Sequence, residues 1–145
     1  MKRYLALDVG TKTIGIAVSD AMGWTAQGVT TLQRKNYDAD AAEISKIIRE
    51  YEATGLVIGL PLSMNGDEGP QAQFVKKTMD ELLKRLPPID AEYWDERLST
   101  VAAERSLLEA DLSREKRKKV INKMAAVFIL QGYLDSKSYS ITGDH

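Results

Sequence analysis

Apolar residues recur with two different periods along this chain, and the change of period marks out its elements. Tyr4-Leu5-Ala6-Leu7-Asp8-Val9 is an apolar run of strand length interrupted by one acid, and Gly10-Thr11-Lys12-Thr13 behind it reads as a tight turn. A second strand runs from Ile14 to Ser19, a turn follows at Asp20-Ala21-Met22-Gly23, and a third strand runs from Trp24 to Leu32. Three strands joined by short turns form an antiparallel meander. The period then lengthens. Ile44, Ile47, Ile48 and Tyr51 are spaced as one stripe of an amphipathic helix, with Asp40 and Glu43 placed as a capping box and Gly55 closing the region. Leu56 to Leu60 is continuously apolar, which suits a parallel strand covered on both faces. After the turn-rich loop from Pro61 to Gly69, a helix carries Val75, Met79, Leu82 and Leu86 on one face and stops at Pro87-Pro88. Ile89 to Trp94 reads as a fifth strand, and helices are expected over Thr100 to Ala110 and Glu115 to Ser136.

The order βββαβαβαα predicts an α/β fold: a mixed five-stranded sheet, three antiparallel strands followed by right-handed βα crossovers, with helices on both faces. No repeat or linker composition interrupts it, so residues 1–136 are expected to form one domain and 137–145 a flexible C-terminal tail. In such sheets ligands gather beyond the carboxyl ends of the strands, where strand order reverses. Asp8 near the end of the first strand and Glu96 just past the fifth would meet there.

Composition narrows the chemistry. The 145 residues include 20 Lys+Arg, 21 Asp+Glu, no Cys and a single His, the terminal His145. That removes disulfides, thiolate zinc sites and thiol nucleophiles, and it argues against a Ser-His-Asp triad or a His-rich zinc site. A metal here would be held by oxygens, which favours Mg²⁺, Mn²⁺ or Ca²⁺. A net charge of −1 means that any nucleic-acid footprint is local rather than global. The apolar run behind Lys2 and Arg3 is too short for a signal segment, and no stretch approaches the ~20 apolar residues of a membrane span. A cytoplasmic protein without membrane association is expected.

Five segments are candidates for chemistry. Alternation puts Tyr4, Ala6 and Asp8 on one strand face, and a carboxylate on an otherwise buried face is costly unless it is paired or binds a cation. Gly10, Thr11 and Lys12 form a turn that can cradle a phosphate through backbone N–H groups and a hydroxyl, or can be a plain hairpin. Asp95-Glu96-Arg97 offers Glu96 for a metal and Arg97 for a phosphate oxygen, and it reads equally as a solvated cluster. Between Ser113 and Lys119, five basic residues (Arg114, Lys116, Arg117, Lys118, Lys119) stand against one acid at the start of a helix. Cations there oppose the helix dipole, whereas phosphates of a nucleic acid would be neutralised by them. The loop Pro61 to Gly66 borders the same sheet edge, either shaping a groove or serving as a plain connection. Trp24, Trp94 and the tyrosines read as core or sheet-face aromatics rather than base-stacking platforms.

LALDVGTKTIGIAVSD (Leu5 to Asp20), VIGLP (Val57 to Pro61), WDERLST (Trp94 to Thr100) and KRKKVINKMAAVFILQGYLDS (Lys116 to Ser136) together resemble the YqgF (RuvX) family, over nearly the whole chain and in order. The resemblance implies an RNase H-like fold and a cytoplasmic bacterial nuclease, Holliday-junction-resolvase-like, that matures the 5′ end of 16S rRNA. It also implies a divalent-metal site built from three acids. Two of them fall on Asp8 and Glu96, whereas the third position is Asn122, an amide before the pair Ala125-Ala126. An amide oxygen can ligate Mg²⁺ or Mn²⁺ but brings no charge. The expected catalytic and metal set is therefore Asp8, Glu96 and Asn122, with nucleic acid (pre-16S rRNA, ribosomal precursor particles or branched DNA) as partner and a monomer or homodimer as the assembly. Two rivals are a non-catalytic nucleic-acid-binding domain of the same fold and a kinase-like ATPase, whose nucleotide site requires two such domains.

Overall fold

The computed structural model describes residues 2–98 and 114–143, and within the last helix the side chains of 123–137. Five strands form one sheet in the order β3-β2-β1-β4-β5. They are β1 (Tyr4–Val9), β2 (Thr13–Ser19), β3 (Ala26–Gln33), β4 (Gly55–Leu60) and β5 (Asp90–Asp95). The first three pair antiparallel, with Asp8 opposite Gly15, and β1, β4 and β5 run parallel. The meander followed by crossovers is the topology that the sequence pattern predicts.

Helices cover both faces. The helices α1 (Tyr37–Tyr51) and α2 (Pro70–Leu83) pack Ile44, Ile48, Val75, Met79 and Leu82 against Leu5, Leu7, Ile14 and Ile58. Each of these apolar side chains is worth about 1.5–3 kcal/mol on burial. The helix α3 (Arg114–Gly143) lays Ala126, Ile129, Leu130 and Tyr133 on Ala6, Ala17 and Val57 of the other face. Small sheet residues let α3 approach closely: a Cβ built at Gly28 would lie 2.7 Å from the Lys123 side chain. No helix among the described residues is long and apolar enough to cross a membrane.

Several details differ from the pattern reading. The cap of α1 is Asn36 rather than Asp40, because its side chain, four residues earlier, takes the Ala39 N–H at 2.8 Å. Asp40 is instead buried inside the helix. Glu52, in the left-handed region at φ 53°, ends α1; Gly55 already belongs to β4 and makes room for the Tyr4 ring. Trp24 is not a sheet-face aromatic: it stands 72% exposed in the β2–β3 turn, where the Asp20 carboxylate accepts its backbone N–H at 2.8 Å. The last helix ends at Gly143 rather than at Ser136. The helix expected over Thr100 to Ala110 lies outside the described residues, as does His145.

Candidate active site

Alternation along β1 carries Asp8 to the α3 side of the sheet, the side on which Ala6 is buried. The edge of the parallel half gives the second carboxylate. Trp94 pairs with Gly59, Asp95 with Leu60, and the chain then enters a 3-10 turn, Glu96–Leu98. One strand, β4, separates β1 from β5, so their backbones lie about 9–10 Å apart. Gly59 stands on β4 between them. A Cβ there would come within 2.6 Å of a Glu96 carboxylate oxygen and would run into the tip of Ile129. Glu96 therefore occupies the space that Gly59 leaves by having no side chain. Asp8 and Glu96 line the same cleft of about 270 Å³, together with Gly10, Thr11, Gly59 and Phe74.

The turn after β1 forms one lip. The Gly10 N–H donates to the Thr13 carbonyl at 2.9 Å, and the Gly10 carbonyl accepts from Arg34 Nη1 at 3.1 Å. Gly10 and Thr11 line the cleft; Lys12, exposed on the same turn, does not.

The charged triplet divides its labour. Arg97 grips Asp95, with Nη2 to Oδ2 at 2.7 Å and Nε 3.1 Å from both oxygens, while Glu96 turns to the cleft. The Arg97 hydrogen bonds hold the Asp95 carboxyl below its usual range, and Asp95 in turn raises the Arg97 guanidinium. Arg97 also donates to the Met64 carbonyl at 3.2 Å, tying the β4–α2 loop to the end of β5. That loop is stiffened from within by Ser63, Asn65 and Asp67.

Arg114, Lys116, Arg117, Lys118 and Lys119 occupy the first two turns of α3, and Asn122 stands one turn before Ala126. The side chains of these six lie outside the described residues. Among the described residues no three acids or histidines cluster as a metal cage. What the cleft does present is two carboxylates from distant parts of the chain, oxygen donors of the kind that hard divalent cations take.

A family model described as RuvX, Holliday junction resolvase, matches residues 2–136. The chain belongs to the RuvX family. Among its relatives, a protein of Clostridioides difficile (strain 630) is 61% identical over 135 residues, covering 93% of this chain and 95% of the relative. One from Staphylococcus carnosus (strain TM300) is 57% identical over 136 residues, covering 92% and 96%. Both carry the name "Putative pre-16S rRNA nuclease". Among solved structures, T. thermophilus RuvC in complex with Holliday junction substrate superposes with a TM-score of 0.58 at 9% identity, covering 94% of this chain and 97% of that one. At that identity the likeness is one of fold: the RuvX chain has the RNase H-like architecture of RuvC.

Three residues of this RuvX site escape a reading by residue type. Gly59 sits inside an apolar strand, where a glycine is a signal of close approach by another group. Arg34 and Asp40 lie behind the cleft wall; Arg34 carries no motif and Asp40 reads only as a helix cap, and the tertiary fold brings them to the Gly10 turn.

Proposed function

We propose that this RuvX protein is a metal-dependent nuclease that hydrolyses phosphodiester bonds of structured nucleic acid, with pre-16S rRNA as its substrate and the cytoplasm as its compartment. The observation that carries the proposal is the convergence of Asp8 and Glu96 on one cleft, with Gly59 clearing the space between their strands. The names of the relatives supply the substrate. Asp8 and Glu96 would hold Mg²⁺ or Mn²⁺, and Asn122 would add a neutral third oxygen. A cation bound there supplies a water of lowered pKa and charge stabilisation for the leaving oxygen.

The chain's own groups do the rest. Asp8 and Glu96 bring two negative charges, so without an acid at position 122 the site attracts a second cation less strongly. The Gly10-Thr11 turn presents backbone polarity to the phosphate. Arg97, with its guanidinium anchored on Asp95, offers its exposed edge to a phosphate oxygen, and Lys12 adds diffuse positive charge at the rim. Arg114, Lys116, Arg117, Lys118 and Lys119 would take the phosphates flanking the cut.

Asn122 favours a second reading, a domain of the same fold that binds nucleic acid without cutting it. A side-by-side assay of this chain and Asn122→Asp decides between them, on a 16S precursor fragment and a four-way DNA junction, across Mg²⁺ and Mn²⁺ concentrations. Cleavage of the precursor by either form supports the nuclease, and cleavage confined to the junction moves the substrate to branched DNA. If neither form cuts either substrate, while both bind RNA without divalent metal, the nuclease reading is wrong.

A further inference from the structure

Behind the Gly10 turn lies an ion pair that the site as described does not use. Asp40 is 1% exposed, and its Oδ1 accepts the Lys35 N–H at 2.9 Å. Its Oδ2 faces Arg34 Nε at 3.5 Å, and neither of these two buried atoms has a hydrogen bond of its own. The guanidinium carbon lies 5.9 Å from the Tyr37 ring centroid and 5.8 Å from that of Phe74, a cleft residue. The other arm of the fork, Nη1, holds the Gly10 carbonyl, while the Arg34 backbone N–H donates to the Lys12 carbonyl at 2.9 Å. Both carbonyls thus point at Arg34, a residue outside the cleft lining.

A buried pair of this kind adds little stability over an apolar replacement, so core energetics do not account for it. Peptide geometry does. In a planar trans peptide the C=O and the following N–H point in opposite directions. With the Gly10 oxygen drawn toward Arg34, the Thr11 N–H is turned the other way, and Thr11 lines the cleft. Among the described residues that N–H has no protein partner. A peptide free to flip would instead offer the cleft a carbonyl oxygen, which repels a phosphate.

We infer that Arg34, seated on Asp40, is a positioning residue that fixes the Gly10–Thr11 peptide so that the Thr11 amide faces a phosphate oxygen of the substrate. The inference rests on the nuclease reading for its substrate, and on geometry alone for the peptide orientation.

The test uses the full chain with Arg34→Met, Arg34→Lys and Asp40→Asn. For each, the thermal melt, amide exchange by ¹H–¹⁵N NMR, and cleavage kinetics on the substrate that the unaltered chain cuts are measured. In Arg34→Met, exchange of the Gly10 amide should quicken about tenfold or more while β1 and β4 amides keep their protection. In the same variant kcat should drop by on the order of 10²-fold, with KM within about twofold. Arg34→Lys keeps the charge on Asp40 but not the forked geometry, so it should fold as the parent does and still lose kcat. Gly10 exchange and kcat both unchanged in Arg34→Met overturn the proposal. So does protection lost evenly across the sheet in all three variants, which would mark a purely structural brace. If the unaltered chain cuts nothing, the nuclease reading fails on that result, and the exchange data alone decide whether Arg34 holds the Gly10 turn closed.

Discussion

Gly59→Ala adds a single methyl group at the point where β4 passes beneath Glu96, and its consequences divide cleanly between stability and activity. The new Cβ would lie 2.6 Å from the Glu96 carboxylate and would overlap the Ile129 side chain, which is fully buried. Ordinary contact begins at 3.4 Å, so Glu96 must retreat by about 0.8 Å (3.4 − 2.6) while Ile129 changes rotamer in a packed core. Overpacking of this kind costs about 1–3 kcal/mol, and the lower entropy of the unfolded alanine chain returns about 0.4–1 kcal/mol. The expected net loss, about 1–2 kcal/mol, lowers Tm by roughly 3–8 °C in a domain of this size. Metal–oxygen distances tolerate only about 0.2 Å, so the same shift should weaken Mn²⁺ binding and reduce cleavage by on the order of 10²-fold. Calorimetric titration with Mn²⁺, a thermal melt and cleavage of the 16S precursor fragment read the three quantities. The companion variant Gly59→Ala/Ile129→Val removes the Ile129 atom that clashes but leaves Glu96 displaced. It should regain stability relative to Gly59→Ala and keep the reduced cleavage. Recovery of Mn²⁺ affinity and cleavage along with stability would refute the assignment of Gly59 as the space for Glu96, as would Gly59→Ala behaving as the parent throughout.

Three other outcomes are expected. The Asp95 carboxyl is held down by Arg97, so their contact is fully present above the ordinary carboxylate value of about 3.9 and is lost as pH falls through the lowered folded value. Carboxyl NMR titration of Arg97→Gln should show Asp95 moving up toward that ordinary value, and an unmoved titration refutes the clamp. Asn36→Ala removes the side-chain cap of α1 and should cost about 1 kcal/mol in chemical denaturation, with an unchanged midpoint arguing that the cap contributes nothing. Lys118→Ala/Lys119→Ala should lower the slope of log affinity for RNA against log salt by roughly 2, and an unchanged slope would place the phosphates elsewhere.

Much of the architecture is legible in the chain because it is set by local periodicity. The alternation in Tyr4–Val9 puts Leu5 and Leu7 on one face and Ala6 and Asp8 on the other. The stripe Ile44-Ile47-Ile48 is a helix wherever it lands, and the apolar run at Leu56–Leu60 is a strand with helices on both sides. Errors fall where two local signals compete. Asn36 and Asp40 are both good caps, and the burial of one against Arg34 and the Lys35 N–H just before the helix left the other to cap it. Trp24 looks like a sheet residue by type, but Asp20 and Gln131 hold its backbone in a turn that exposes the ring.

The chemistry shows the same division. Composition alone restricted the site to oxygen donors, and the family motifs pointed to Asp8 and Glu96, because the identities of carboxylates are written in the chain. Their meeting is not. It depends on the order β1-β4-β5, on a glycine in the intervening strand, and on Arg97 pairing with Asp95 so that Glu96 alone turns inward. The bracing of the Gly10 turn by Arg34 and Asp40 is more remote still, since those residues reach it only through the hairpin and the start of α1. Local sequence determines which way each element faces, because its period is a property of a few consecutive residues. Which side chains share a cavity is a property of strand order and helix crossing, summed over contacts between residues far apart in the chain, and only the folded structure decides it.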